Sequence, residues 1–265
     1  MFQVNSTFFT FLSALQERLK LEFNLKALAE KACLLYPEDG GIRVVYYRCG
    51  MARRIPVEGD GRCIHIDEDL WVKRPELLLN RIAALVGQAQ RVHARDTVVA
   101  RIEKRIALSF LQEHHLQVAL PGKYRYGLFH DGELVAVAVF SGGRRMSDKP
   151  ADYRSYELLR FCHKQGVHVV GGFSKLLDAF HRDFNPGDIM TYADKDWSDG
   201  ASYRKLGFTV VGETEPQLFW VDMRTMQRYY ERTLPPEIRM KPTDERMASH
   251  YVPVRNSGSI KLVNF

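Results

Sequence analysis

The stretch from Tyr156 to Gly212 constrains the fold more than any other part of the chain. Two short apolar segments, residues 156–162 and 167–170, are followed directly by Gly171 and Gly172. Beyond these glycines, apolar side chains recur at three- and four-residue spacing, the pattern of one buried helix face: Phe173, Leu176, Leu177, Phe180 and Phe184. The segment therefore predicts strand, glycine turn and helix in direct succession.

A further apolar run follows this helix and leads into a polar cluster. Residues 185–187 (Asn-Pro-Gly) end the helix, and residues 189–193 are short and apolar enough to form a strand. The polar residues 194–199 come directly after that strand. Parallel strands joined by a helix carry their ligand-binding loops on one side of the sheet, so we expect functional side chains there.

Composition sets broad limits on the class of protein. The 265 residues are 45% hydrophobic, enough for the core of one large domain or two small ones. No apolar run approaches the roughly 20 residues that span a bilayer, and the first residues lack the features of a secretory signal. We therefore expect a cytoplasmic protein without a membrane partner. The net charge of +6 makes DNA or another polyanion a plausible partner, and the oligomeric state stays open.

The pattern along the chain predicts three regions. A polar, glycine-containing boundary at residues 87–90 separates an N-terminal α/β region, residues 1–88, from a central domain, residues 89–222. A C-terminal extension, residues 223–265, ends in a strand at 260–263. In the N-terminal region we expect helices at 6–19, 25–35 and 75–86 and strands at 42–49 and 62–66.

An acidic triplet in the N-terminal region has two interpretations. Asp67, Glu68 and Asp69 follow the strand at 62–66 and precede Trp71. Carboxylates at a strand end hold magnesium in many nucleases, but a solvated turn leading into the next helix gives the same pattern. The four cysteines show no paired C-x-x-C spacing. We therefore predict no metal site.

Two features of the central domain precede the organising stretch. Asp131 and Gly132 separate two apolar runs, 124–129 and 134–140, which predicts a hairpin with a type I′ turn. The loop 141–150 is rich in glycine and basic residues. Its Arg144 and Arg145 are candidates for contacts with the phosphates of a cofactor or of nucleic acid, although an ordinary solvated loop has the same composition.

The order strand, helix, hairpin, strand, glycine turn, helix, strand, short helix, strand resembles the GNAT acetyltransferase family. The resemblance implies an α/β (α+β) fold with a mixed central sheet flanked by helices. It also implies acetyl-CoA or another acyl-CoA as cofactor, its diphosphate held by the helix N-terminus after the glycine turn. The implied cofactor-binding residues are Val169, Val170, Gly171, Gly172, Ser174 and Lys175. Val169 and Phe173 stand where the family has small residues. The alternative role of the two glycines is to let the strand and the helix pack closely together.

The resemblance also implies a catalytic set. Tyr203 begins a Tyr-x-x-Leu-Gly-Phe sequence, and in many family members this tyrosine protonates the departing thiolate of coenzyme A. Glu157, on the strand before the turn, is the candidate base, and Asp194 is the candidate that orients the nucleophile. Trp197 and Ser198, together with the loop arginines at 144 and 145, are the candidate substrate contacts.

A closer likeness is to GNAT-like modules of bacteriophages and mobile elements, and it extends over residues 91–220. It rests on several short segments, among them residues 92–95 (Val-His-Ala-Arg), 169–172 (Val-Val-Gly-Gly), 192–194 (Tyr-Ala-Asp) and 197–200 (Trp-Ser-Asp-Gly). The Tyr-Ala-Asp element and the later tyrosine motif are similar to those of the Mom proteins, which modify adenine in DNA. The function implied is an acyl-CoA-dependent N-acyltransferase acting on an unknown amine. The alternative is a non-catalytic DNA-binding module on the same scaffold.

Overall fold

The computed structural model describes residues 2–59 and 61–265. Within them the chain forms two compact units. The first unit comprises the chain up to Leu79 together with Asp194–Asp199 and Glu213–Ser259, and the second comprises Asn80–Ala193, Gly200–Gly212 and Ile260–Phe265. Each unit is therefore assembled from separate stretches of sequence.

The elements follow one another in chain order. The first half contains α1 (Ser6–Leu19), β1 (Asn24–Ala29), β2 (Ala32–Tyr36), β3 (Arg43–Tyr47), β4 (Cys63–Asp67), α2 (Glu68–Lys73), α3 (Pro75–Leu85), β5 (Gln90–His93), β6 (Val98–Arg101), α4 (Lys104–His114), β7 (Tyr124–His130) and β8 (Glu133–Phe140). The second half contains β9 (Ser155–His163), β10 (Val167–Val170), α5 (Gly172–Phe184), β11 (Asp188–Asp194), α6 (Ala201–Arg204), β12 (Thr209–Glu213), β13 (Leu218–Asp222), β14 (Gln227–Tyr230), α7 (Pro236–Arg239), α8 (Thr243–Ala248), β15 (Tyr251–Arg255) and β16 (Ser259–Asn264). Short 3₁₀ turns lie at Ala94–Asp96 and Glu231–Thr233.

The first unit contains a four-stranded and a three-stranded sheet. The four-stranded sheet has the order β1-β2-β3-β4, with β3 and β4 parallel and the other pairs antiparallel. Helix α1 begins at Asn5, whose side chain accepts a hydrogen bond from the Phe8 amide, and it buries Phe8, Phe11, Leu15 and Leu19. The three-stranded sheet has the order β14-β13-β15 and is antiparallel.

The predicted second helix, residues 25–35, is wrong. These residues form the hairpin β1-β2, in which Ala29 pairs with Ala32. Strand β2 is buried between β1 and β3, with Ala32 and Leu35 fully inaccessible to solvent. Pairing and burial on both edges of β2 outweigh the helix propensity of its leucines and alanines, which is a weak preference.

The second unit is built on a seven-stranded sheet in the order β12-β16-β11-β9-β8-β7-β6. Strands β6 to β9 form an antiparallel meander, and β9 pairs in parallel with β11. Helices lie on both faces, because Ala136 and Ala138 of β8 join the core against α5, whereas Val137 and Val139 join the core against α4. The predicted fold class, a mixed central sheet flanked by helices, is confirmed.

The predicted hairpin at residues 124–140 is also confirmed. Strands β7 and β8 are joined at Asp131 and Gly132, which have φ angles of 50° and 80°. Positive φ at both central positions is the requirement of a type I′ turn. Asp-Gly is therefore a local signal that the surrounding sheet did not override.

Strand β10 departs from the expected pairing. We predicted that residues 167–170 and 189–193 would be the parallel pair joined by the helix, but β10 pairs in parallel with β5 in a separate two-stranded sheet. The chain leaves the main sheet at Gly166, whose φ of 75° turns it sharply after β9. Strands β5 and β6, which are close together in the chain, accordingly belong to two different sheets.

No helix in the described part of the chain combines the length and the apolar character needed to cross a lipid bilayer.

Candidate functional site

The glycine turn before α5 shows why both glycines are needed. Gly171 is the N-cap of α5 and has a φ of 75°, the left-handed region that glycine enters without strain. A Cβ atom on Gly172 would lie 2.9 Å from the Val169 Cβ and 3.1 Å from the Leu128 Cδ1. The helix therefore starts directly against the core, at a distance that only glycine allows.

This turn leaves backbone donors at the start of α5. The first helical bond runs from the Lys175 amide to the Gly171 carbonyl, at 3.1 Å. The three preceding amides, of Gly172, Phe173 and Ser174, have no acceptor within the helix. Gly171 is exposed and offers no capping side chain. The arrangement is suited to an anion, since free amides and the helix dipole both favour negative charge.

The other predicted cofactor residues lie around this turn. Val169 is buried in the core beneath α5, and Val170 and Ser174 are half-buried. The Lys175 ammonium donates hydrogen bonds to the backbone carbonyls of Ala94, at 2.7 Å, and Thr97. The structure therefore brings the whole predicted set together, with Lys175 bound to the turn that follows β5.

A row of aromatic rings connects the glycine turn with Tyr203. Phe173, in the first turn of α5, stacks on Phe161 with ring centroids 4.6 Å apart. Phe173 also contacts Tyr203 edge-to-face, at 5.4 Å, and Phe208, at 6.3 Å, and Tyr203 packs edge-to-face on Phe208, at 5.7 Å. The large side chain at position 173 thus fills the space between the turn and the candidate acid.

Tyr203 has the environment of a proton donor. Burial raises the pKa of its hydroxyl above the ordinary tyrosine value, which keeps the group protonated at neutral pH. The hydroxyl shares a hydrogen bond with the Thr191 side chain, and Thr191 donates to the Leu158 carbonyl at 3.0 Å. Tyr203 can therefore supply a proton and cannot accept one at neutral pH.

Glu157 lies in the middle of the second unit but on a different face. Its neighbours Tyr156 and Leu158 join the core against α5, the same core on which Tyr203 packs. Since side chains alternate along a strand, Glu157 points to the α4 face of the sheet. Its backbone amide and carbonyl are bonded to Ser141, each at 2.8 Å. The structure does not bring the Glu157 carboxylate next to Tyr203.

The two loop arginines are exposed at the start of β9. The backbone of Arg144 bridges to Ser155, the first residue of that strand, and its guanidinium is 2.9 Å from the Met190 sulfur. Arg145 is exposed beside it. The glycine turn follows the other end of β9, so these arginines and the turn lie at opposite ends of the strand.

Asp194, Trp197 and Ser198 belong to the first unit. The Asp194 carboxylate accepts a hydrogen bond from the Asp196 amide at 3.0 Å, and the Asp194 carbonyl accepts from the amides of Trp197 and Ser198. Trp197 is buried, with 6% of its surface exposed. These contacts build a tight turn at the end of β11.

The acidic triplet of the first unit is not a solvated turn, because two of its carboxylates are buried and paired with arginines. Asp67 and Asp69 are 2% and 1% exposed. Arg228 donates to both carboxylates at 2.6–2.8 Å, and Arg54 donates to Asp67 at 2.6 and 2.9 Å. In the described residues no cluster of three or more histidine, cysteine or acidic side chains is arranged to hold a metal ion. The carboxylates are instead neutralised by buried guanidinium groups.

Electrostatics within this cluster separate the two aspartates. Although burial opposes it, the charges of Arg54 and Arg228 lower the pKa of Asp67 to about 2. Burial outweighs Arg228 for Asp69 and raises the pKa of that carboxyl. Sequence reasoning missed both arginines, because Arg228 lies 159 residues beyond Asp69 and no local pattern connects them.

Comparison with known proteins adds limited information. No family model and no curated protein matches the chain. Among solved structures, Ard1 from Thermoplasma volcanium matches with 13% identity and a TM-score of 0.38, covering 64% of this chain and 97% of Ard1. The ribosomal-protein-S18-alanine N-acetyltransferase from Escherichia coli matches with 12% identity and a TM-score of 0.39, covering 63% and 92%. Arabidopsis thaliana Naa50 in complex with a bisubstrate analogue matches with 9% identity and a TM-score of 0.38, covering 64% and 99%. Similarity at this level carries no information about activity.

Proposed function

We propose that the protein is a cytoplasmic, acyl-CoA-dependent N-acyltransferase that acts on an unidentified amine. The observation that carries the proposal is the start of α5, where Gly171 and Gly172 leave three backbone amides without helical acceptors. Gly171, the N-cap of α5, is exposed and has no side chain to cover these amides, so the residues present fit a diphosphate-bearing cofactor.

The chemistry divides among residues of the chain. Acetyl-CoA or another acyl-CoA supplies the acyl group as a reactive thioester when bound. The amides of the α5 start hold the diphosphate, and Val169 and Val170 position the turn. Tyr203 donates a proton to the leaving sulfur; its hydroxyl is protonated at neutral pH, although burial raises its pKa and makes it a weaker acid than an exposed tyrosine.

The acceptor side of the proposal rests on the predicted residues. Asp194 is the proposed residue that orients the amine. Glu157 is left out of the proposal, because its carboxylate points to the opposite face of the sheet from Tyr203. Trp197 and Ser198 are the proposed acceptor contacts. The resemblance to Mom proteins and to modules of phages and mobile elements supports an amine carried by a nucleic acid.

Calorimetry with acetyl-CoA tests this proposal. We expect the wild-type protein to bind acetyl-CoA, and Tyr203→Phe to bind it with unchanged affinity while slowing acyl transfer to an amine by ~10²–10⁴-fold, the usual contribution of a general acid. No heat of binding at millimolar acetyl-CoA, from a protein shown to be folded by circular dichroism, would refute the proposal.

A second candidate function is non-catalytic binding of DNA or another polyanion. The observation in its favour is the loop before β9, in which Arg144, Arg145 and Lys149 are all exposed. DNA affinity should then fall steeply with salt and weaken in the double variant Arg144→Ala, Arg145→Ala. Affinity that does not depend on salt, or that the double variant leaves unchanged, counts against this function.

A further inference from the structure

Strand β12 forms one edge of the seven-stranded sheet and is exposed on both of its faces. Its neighbour in the sheet is β16, so the backbone donors and acceptors along its outer edge have no strand partner. Val210 and Val211 point to opposite faces, and 42% and 47% of their surfaces are exposed. All residues from 209 to 217 are exposed. An open edge with apolar side chains on both faces is a template for another strand.

The opposite edge of the sheet, β6, is protected in a way that β12 is not. Strand β6 carries Arg101, whose guanidinium lies 4.9 Å from the centre of the Phe184 ring and pairs with Asp183 at 3.3 Å. A charged side chain on an edge strand discourages other strands from pairing with it. Strand β12 contains no lysine, arginine or proline, and its one charged residue, Glu213, lies at its end and is paired with Lys195.

The residues that flank β12 carry opposite charges. Lys205 precedes the strand and Glu215 follows it, and both are exposed. Neither side chain has an ion-pair partner in residues 2–59 and 61–265. In an antiparallel pair of two β12 strands, the start of each strand lies beside the end of the other. Lys205 and Glu215 are each five residues from Val210, so a pair centred on Val210 brings opposite charges together at both of its ends.

We propose that β12 is a self-association surface, on which β12 of a second copy of this chain pairs antiparallel about a two-fold axis at Val210. The pairing is isologous, because each copy supplies the same strand and the same two flanking charges. It packs Val210 on its equivalent and Val211 on Thr209 of the other copy. Residues 209–217 are fewer than the ~20–30 residues that each partner gives to a standard interface, so we expect a weak dimer with a micromolar Kd.

Analytical ultracentrifugation of the full chain between ~1 and ~500 µM, a range suited to weak association, tests the surface. The wild-type protein should shift from monomer to dimer across this range. Val211→Lys places a charge on the edge and should weaken association at least ~10-fold. Val98→Lys makes the same change at a 69% exposed position on the opposite edge, β6, and should leave association unchanged.

Two outcomes of this experiment overturn the proposal, provided that circular dichroism shows the variants to be folded. The first is a wild-type protein that stays monomeric throughout the range, in which case β12 pairs with no second copy. The second is a dimer that tolerates Val211→Lys or is dissociated equally by Val98→Lys, since it must then form through another surface.

A charge exchange tests the antiparallel arrangement. Lys205→Glu and Glu215→Lys should each weaken association by ~3–10-fold, because like charges then meet at both ends of the pair. The double variant restores opposite charges across the two-fold axis and should return to within ~2-fold of the wild-type Kd. Single variants without effect, or a double variant as weak as the single ones, would overturn the antiparallel pairing about Val210.

Discussion

Arg54 bonds two buried carboxylates that are far apart in the chain. Its Nη1 donates to Asp67 at 2.6 Å. Its Nη2 donates at 2.7 Å to Asp196, which lies 142 residues after Arg54 in the chain. The Ser257 hydroxyl also donates a hydrogen bond to the Asp196 carboxylate, at 2.5 Å. Since Arg228 bonds Asp67 and Asp69, six side chains of the first unit form one network. A single guanidinium therefore connects the N-terminal sheet of this unit with the loop after β11.

Replacing Arg54 by methionine should destabilise the first unit strongly. The change leaves Asp196 buried without its cationic partner and Asp67 with only Arg228, and the removal of one member of a buried pair costs about 3–5 kcal/mol. The three tryptophans, at positions 71, 197 and 220, all lie in the first unit, so urea unfolding followed by tryptophan fluorescence reports on that unit. Arg53→Met, at the exposed neighbouring position, is the control and should change stability by less than about 0.5 kcal/mol. Equal effects of the two substitutions would contradict the network's role.

Acid should destabilise the same unit over a defined pH range. The folded-state pKa of Asp67 is about 2, below its ordinary value of 3.8. A carboxyl whose pKa is lowered by folding stabilises the folded state at pH values above its ordinary pKa. This contribution of about 2 kcal/mol is lost as pH falls from about 4 toward 2. The raised pKa of Asp69 acts in the opposite sense, because its protonation favours the folded state.

The measurement is the free energy of unfolding in urea between pH 6 and pH 2. Asp67→Asn removes the titrating group and should flatten the dependence below pH 4. A slope that remains the same in the variant would assign the acid sensitivity to other carboxylates.

Two adjacent tyrosines should respond in opposite ways to the loss of their hydroxyl groups. Tyr46 is fully buried against Phe8 and Phe11, and its hydroxyl has no hydrogen-bond partner among the described residues. Tyr46→Phe should leave stability unchanged or raise it by about 1 kcal/mol, since an unpaired buried hydroxyl is costly.

The Tyr47 hydroxyl, by contrast, accepts from the Ile55 amide at 3.0 Å and bonds the His65 Nδ1 at 2.9 Å. Tyr47→Phe leaves both partners unpaired and should cost about 1–3 kcal/mol. Thermal unfolding followed by tryptophan fluorescence separates the pair. A larger loss for Tyr46→Phe than for Tyr47→Phe would show that the Tyr46 hydroxyl has a partner.

Adding one methyl group at Gly172 should disturb the second unit. The new Cβ would meet Val169 at 2.9 Å, and overpacking of this kind typically costs about 1–3 kcal/mol. Gly212→Ala is the matched control, because its Cβ would meet no atom within 4 Å and its φ is not positive. Differential scanning calorimetry should show a lower transition temperature for Gly172→Ala only. Equal transition temperatures in the two variants would mean that the core beneath α5 rearranges to accommodate the added methyl group.

The sequence predicted those parts of the fold that local rules decide. Helix α1 lies at the predicted residues 6–19, the hairpin turns at Asp131-Gly132, and α5 begins at the glycine pair. The helix predicted at 25–35 failed because burial of β2 between two strands is a tertiary effect that no window of sequence contains.

The candidate site likewise has some features that local sequence predicted and others that only the folded chain shows. The glycine turn and the nearby Tyr203 follow from motifs, but the Lys175 bonds to Ala94 and Thr97 join residues about 80 positions apart. The placement of Glu157 on the α4 face required the sheet register, and the pairing of Arg228 with Asp69 required the folded chain. The role of Glu157 as the catalytic base remains a prediction of the family resemblance.

The position of β16 has a consequence for how the protein is made. This strand lies between β12 and β11 in the seven-stranded sheet, although residues 214–258 separate it from β12 in the chain. A ribosome that has just released β12 has therefore produced a sheet with a gap beside β11, and the gap persists until about fifty more residues have been translated. During that interval the backbone donors and acceptors along that edge of β11 have no strand partner, and a pause in translation there would prolong their exposure.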